Sequence, residues 1–128
     1  MVALGDRTDQ HHTECNDTLD LLGGEELLTT WACLAEAMHL VCRFGGHTAQ
    51  DELWEYVARG VLLVRRHADD ELARMRVVMA RYSNVPMDLA DASLVVAAER
   101  TGIQRIFTLD RDFRIYVIND KDPFHIVP

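Results

Sequence analysis

Residues 82–102 read YSNVPMDLADASLVVAAERTG, and residues 103–113 read IQRIFTLDRDF. Asn84-Val85-Pro86 ends whatever precedes it, because proline fixes its own φ and biases its predecessor away from helix. Asp88 carries the side chain of an N-cap. The helix it opens runs from about Asp88 to Thr101 with Leu89, Ala92, Val95 and Val96 as apolar positions, and Gly102 stands where a C-cap glycine belongs. Residues 103–109 read as a strand, and two acids, Asp110 and Asp112, follow it. A helix, a tight turn, a strand and acids at the strand's carboxyl end form the repeating unit of a parallel α/β sheet.

The same alternation extends towards the N-terminus. Residues 69–82 carry Leu72, Met75, Met79 and Tyr82 at helical spacing, with Asp69 and Asp70 suited to a first turn. Residues 61–64 are a continuous apolar run, the pattern of a strand buried on both faces. Before it, residues 48–51 resemble a capping box with Asp in place of Glu, opening a helix with Leu53, Trp54 and Val57 that ends at Gly60. Trp31, Leu34, Met38 and Val41 form the stripe of another helix, capped by Thr29 or Thr30 and stopped by Gly45-Gly46; residues 26–30 read as a short strand before it. A first helix starts near Asp9, with Cys15, Leu19 and Leu22 on one face, and ends at Gly23-Gly24. Towards the C-terminus, residues 114–118 and 124–127 are expected to form an antiparallel ending around a turn at 119–123. The whole is one α/β domain, residues 1–128, with a mainly parallel sheet covered on both faces.

With 128 residues, the chain has the length of one ordinary domain. Such a domain buries roughly two-thirds of its unfolded surface and needs no staple. Its 48% hydrophobic content excludes a disordered chain. No apolar run approaches the roughly 18 residues of a membrane span, and the polar N-terminus is not a signal peptide, so a soluble, cytoplasmic protein is expected. Cys15, Cys33 and Cys42 form no C-x-x-C pair and read as buried reduced thiols. The 21 acids outnumber 13 bases, for a net charge of −8. An acidic chain is a poor general binder of nucleic acid unless a local basic patch or bridging cations assist.

Ligands of parallel α/β folds gather where strands end and the next helices begin. Glu36 lies about two turns into the helix after residues 26–30; Asp88 and Asp91 share the first turn of the helix at 88–101; Asp110 and Asp112 follow the next strand. Carboxylates without matching cations repel one another unless metal ions bind. An oxygen-only donor set favours Mg²⁺ or Mn²⁺ over zinc, and such ions can activate water and hold a phosphodiester for in-line attack. Each acid also has an ordinary structural reading. Asp88 serves as an N-cap, Asp91 as a partner of the helix dipole, and Asp112 as a surface loop residue. Glu36, between Ala35 and Ala37 on a mostly apolar helix, is harder to explain that way, since burial without a partner is costly. His11 and His12 read as solvated helix-end residues; His39, His47, His67 and His125 show no ligand spacing. No G-x-S-x-G, P-loop or G-x-G-x-x-G is present.

The stretch from Tyr82 to Gly102, with Ile106-Phe-Thr-Leu-Asp110-Arg-Asp-Phe113, strongly resembles PIN-domain proteins, and among them the VapC toxins of bacterial type II toxin–antitoxin pairs. Thr29-Thr30-Trp31 through Glu36-Ala37 resembles that family's second acidic motif, and residues 6–12 resemble its first helix and the polar turn after it. The resemblance implies a three-layer α/β/α fold of strand order 3-2-1-4-5 and metal-dependent endoribonuclease activity using four acids and Mg²⁺ or Mn²⁺. Carried over by motif, the second, third and fourth acids fall on Glu36, Asp91 and Asp110. Asp88 supports the third as a cap or additional ligand, and Thr108 orients the site. Arg111 and Arg114, beside the acids, read either as contacts to substrate phosphates or as plain surface residues. RNA as substrate, a cognate antitoxin and a homodimer complete what the resemblance implies.

The family's leading strand, apolar-apolar-Asp-Thr/Ser-Gly/Ala, has no counterpart, because Met1-Val-Ala-Leu4 matches the helix after it. That strand is the central one, so it is expected to lie before Met1, and without it a gap would separate the strands at 26–30 and 103–109. The alternative expectation is a catalytically inactive PIN-like protein that keeps antitoxin binding or self-association. A receiver-like domain of similar topology fits less well, since it needs a lysine after a late strand and the only lysine is Lys121 in a terminal turn.

Overall fold

A computed structural model describes residues 27–107 and 111–127 of the chain. The expected first helix, with His11, His12 and Cys15, lies outside them. So do Thr108 and Asp110. The described elements are β1 (Leu27–Thr30), α1 (Trp31–Ala58), β2 (Leu62–Arg65), α2 (Asp69–Arg81), α3 (Leu89–Thr101), β3 (Arg105–Phe107), a 3₁₀ turn (Arg111–Arg114), β4 (Val117–Ile118), β5 (Asp122–Pro123) and β6 (His125–Val127). Strands alternate with helices, and β1 pairs with β2 in parallel, Leu27 opposite Leu62 and Thr30 opposite Arg65. β3 and β6 form a second parallel pair. Among the described residues no strand joins the two pairs. No described helix is long and apolar enough to cross a membrane.

The two helices expected on either side of Gly45-Gly46 are both present, as two segments of α1 that meet at a kink. Gly46 has φ 62° and ψ −155°, a conformation open essentially to glycine alone. The Gln50 side-chain Nε2 donates to the Met38 carbonyl across the bend at 3.3 Å, satisfying an acceptor near the interruption of the helix ladder. Leu34, Val41 and Leu53 turn inward and form one core with Leu62 of β2. Trp31 and Trp54 of the same helix remain about half exposed.

Four expectations need correction. The run at 61–64 is not buried on both faces, because Leu62 points inward while Leu63 is 39% exposed. Leu62 and Leu63 point to opposite faces of β2, so the face that carries Leu63 is the less covered one. On α2, the inward face carries Glu71, Met75 and Val78 rather than Leu72, which is exposed. Residues 114–118 and 124–127 do not pair with each other. β4 turns back on β5 through Asn119, Asp120 and Lys121; Asn119 and Asp120 have positive φ, and the Lys121 amide donates to the Ile118 carbonyl at 3.1 Å. The chain then leaves the hairpin, and β6 lies parallel to β3. Of the described cysteines, both are free, but only Cys33 is buried; Cys42 is exposed.

α3 is the centre of the molecule. Ala92, Val95 and Val96 are fully buried, and Ala90, Ala97 and Ala98 nearly so, which small side chains allow on several faces at once. It packs against α1, α2, β1 and β4. Phe113 and Tyr116 cover it from the C-terminal segment, in edge-to-face contact with each other at 5.0 Å, and Tyr116 meets Tyr82 at the same separation.

Candidate active site

The N-terminus of α3 is built by its own first turn. Asp88 is the N-cap, and its Oδ1 accepts from the Asp91 amide at 2.8 Å. In return Asp91 Oδ2 accepts from the Asp88 amide at 3.3 Å, closing a reciprocal capping box. The structural role read for Asp88 is therefore the one it fills. The hydroxyl of fully buried Tyr116 also reaches Asp91 Oδ2 at 3.4 Å, at the long end of hydrogen-bond range. Asp91 is thus a half-buried carboxylate aimed by a backbone amide and a phenol, at the end of a helix whose dipole favours negative charge.

The N-terminus of α1 lies against this turn. Thr30 ends β1 and caps α1, its Oγ1 accepting from the Cys33 amide at 3.2 Å. The same oxygen is 2.6 Å from Ser93 Oγ on α3. Ser93 in turn reaches the Ala90 carbonyl at 2.6 Å. Glu36 follows on the second turn of α1, where its side chain is exposed. The desolvation cost argued for a buried Glu36 therefore does not arise; exposure leaves it open to a ligand from solvent. Arg114, at the end of the 3₁₀ turn, is exposed, and Asp112 is half-buried. The backbone of Arg111 is in that turn.

Oxygen donors of the kind that suit Mg²⁺ or Mn²⁺ are present in Glu36 and Asp91, and the support given to Asp91 is of the sort that orients a ligating carboxylate. Among the described residues, no group of three or more His, Cys, Asp or Glu is placed to hold a metal ion. The third acid of the expected set, Asp110, lies outside the described residues.

A buried charged contact lies elsewhere and escaped the sequence reading. Glu71 is buried, and Arg65 grips it with two hydrogen bonds at 2.8 and 2.5 Å. His67 Nδ1 and the Ala68 amide add contacts at 3.1 and 3.3 Å. The Arg65 guanidinium, with His67 and the Ala68 amide, holds the Glu71 carboxyl down to about 2 against the opposing effect of burial. The motif R-x-H-x-x-x-E was visible, but nothing in sequence tells a buried fork of charges from a solvated helix start. Tyr116, Thr30 and Ser93 were missed as supports because their partners are far away in the chain.

The PIN domain family model matches residues 1–118. The structure is similar to that of the VapC20 toxin of Mycobacterium tuberculosis, described as cleaving the sarcin–ricin loop. The TM-score is 0.79, the identity 21%, and the likeness covers 94% of this chain and 92% of that one, which establishes a shared fold. No curated protein matches the sequence. With a family model spanning most of its length, and a parallel α/β fold with an acid on the first turn of α3, the chain belongs to the PIN-domain family.

Proposed function

We propose that this protein is a metal-dependent endoribonuclease of VapC toxin type, hydrolysing RNA phosphodiester bonds. The observation that carries the reading is the aimed carboxylate of Asp91 at the start of α3, beside the start of the helix that bears Glu36. Family membership and the cleavage of RNA described for the similarly folded toxin point the same way. Glu36, Asp91 and Asp110 would hold Mg²⁺ or Mn²⁺, with Asp88 fixing Asp91 from the cap. The bound ion supplies Lewis-acid activation of water and neutralises phosphate charge. The chain's own contribution is orientation. Asp88 and Tyr116 both hydrogen-bond Asp91 Oδ2 and so orient that carboxylate, while Arg114, Arg111 and Thr108 would contact phosphate oxygens. Local cations and bridging metal thereby offset the net charge of −8 that would otherwise repel RNA. A cognate antitoxin and a second copy of the chain are the expected protein partners.

Thermal unfolding with increasing Mn²⁺ tests the site directly. A ligand that binds only the folded state raises the melting temperature, by about 2.7 kcal/mol of stability at a hundredfold excess over Kd. Glu36→Gln and Asp91→Asn are expected to abolish most of that rise and the Mn²⁺-dependent cleavage of RNA. An unchanged melting curve at millimolar Mn²⁺, without RNA cleavage, would overturn the proposal.

A further inference from the structure

The contact between Thr30 and Ser93 has a direction that proton counting fixes. A carbonyl can only accept, so in the 2.6 Å contact with Ala90 the Ser93 hydroxyl must donate. Its single proton is then committed, and the 2.6 Å contact with Thr30 requires Thr30 to donate. Thr30 Oγ1 keeps its lone pairs for the Cys33 amide. The result is a one-way relay from the Cys33 N–H through Thr30 and Ser93 to the Ala90 carbonyl. Cys33 Sγ reaches the same carbonyl at 3.6 Å. Thr30 is 0% and Ser93 1% exposed, so water cannot substitute for either hydroxyl.

The relay ends on a particular peptide. The Ala90 carbonyl and the Asp91 N–H belong to the same peptide group. Its oxygen is held by Ser93 and Cys33, and its N–H by Asp88 Oδ1 at 2.8 Å. Both polar atoms of the bond leading into Asp91 are therefore gripped, one of them from the start of α1. Glu36 stands six residues beyond Thr30 on that same helix.

We infer that Thr30 and Ser93 are positioning residues, a buried hydroxyl clasp that sets the separation of Glu36 and Asp91 by tying the first turns of α1 and α3 together. The inference rests on the metal reading of those two acids, and its test separates the two. Ser93→Ala, Thr30→Val and Thr30→Ser are compared with wild type in two measurements. The first is amide hydrogen exchange without metal. In Ser93→Ala, exchange of the Cys33 N–H on the opposite helix is expected to rise at least tenfold beyond the general change, although its own acceptor is intact. The second is Mn²⁺ titration calorimetry well below the melting temperature. Ser93→Ala and Thr30→Val are expected to weaken Mn²⁺ binding at least fivefold, and Thr30→Ser to restore it to within twofold of wild type. Should Ser93→Ala not fold, Ser93→Cys, which keeps the volume and a weaker donor, is read in the same way. Folded variants that melt lower yet bind Mn²⁺ as wild type does would overturn the positioning role, as would an undisturbed Cys33 amide. A wild type that binds no Mn²⁺ overturns the metal reading and the positioning role with it, while the exchange result alone then decides whether the clasp couples the helices.

Discussion

Tyr116 combines two roles that a substitution can separate. Its ring is wedged between Tyr82 and Phe113, and its hydroxyl touches Asp91 Oδ2. At 3.4 Å that hydrogen bond is loose, so Tyr116→Phe is expected to cost at most about 1 kcal/mol in urea unfolding. Tyr116→Leu also removes the edge-to-face contacts and part of a fully buried ring, and is expected to cost about 2–4 kcal/mol. Equal losses in both variants would mean that the hydroxyl, and not the packing, carries the contribution. At this scale the sequence was legible where a residue acts on its neighbours. The capping role of Asp88 and the end of α3 at Gly102 follow from side-chain and backbone chemistry within a few positions. The link from Tyr116 to Asp91 spans 25 residues, and no local pattern encodes it.

Among the elements, α1 follows the sequence closely at its bend. Gly45-Gly46 interrupts the helix as two glycines suggest, and residues 47–58 form a second helical segment beyond the kink. Two features make the bend specific. Gly46 adopts a φ of 62° with ψ of −155°, and a Cβ on Gly45 would meet the Ala49 Cβ at 2.6 Å. Gly46→Ala has open space around it, so its cost is backbone strain alone, of order 1–3 kcal/mol. Gly45→Ala meets a steric contact that only movement of the bend can relieve. Urea midpoints are expected to fall for both, and a Gly46→Ala variant as stable as wild type would show that the helix straightens without penalty. The strands were less legible than the helices. Length and Thr content marked β1, and apolar runs marked β2 and β3, but not which face would be covered, because exposure of Leu63 depends on what packs over that face rather than on β2 itself.

Charged side chains fasten the elements around two cores to one another. One core joins α1 to β1 and β2; the other gathers α2, α3 and the C-terminal segment. Arg74 of α2 makes two bonds of 2.9 Å to Glu99 of α3 and a third contact to Asp120, while Glu99 also accepts from the Asn119 amide at 2.8 Å, fastening the β4–β5 turn to both helices. Arg65 and Glu71 do the same between the end of β2 and α2. Such pairs explain why α/β class and element order could be read from pattern, while the joints could not. Periodicity reports which face of an element is apolar, and says nothing about which buried acid will find which arginine. Glu71 gives this architecture a measurable acid limit. Its carboxyl is held at about 2 in the folded chain against an ordinary value of 4.5, first by Arg65 and then by His67 and the Ala68 amide. A depressed carboxyl contributes its full stabilisation above the unfolded value and loses it as pH falls through the folded one. For Glu71 that contribution, about 3 kcal/mol at neutral pH, is expected to drain away between about pH 4.5 and pH 2. Glu71→Gln removes the charge, keeps the size and leaves Arg65 without its carboxylate. Its deficit relative to wild type is therefore expected to be largest near pH 7 and to shrink steadily below pH 4.5, as followed by urea unfolding across that range. A deficit that stays constant with pH would assign the contribution of Glu71 to packing instead of charge.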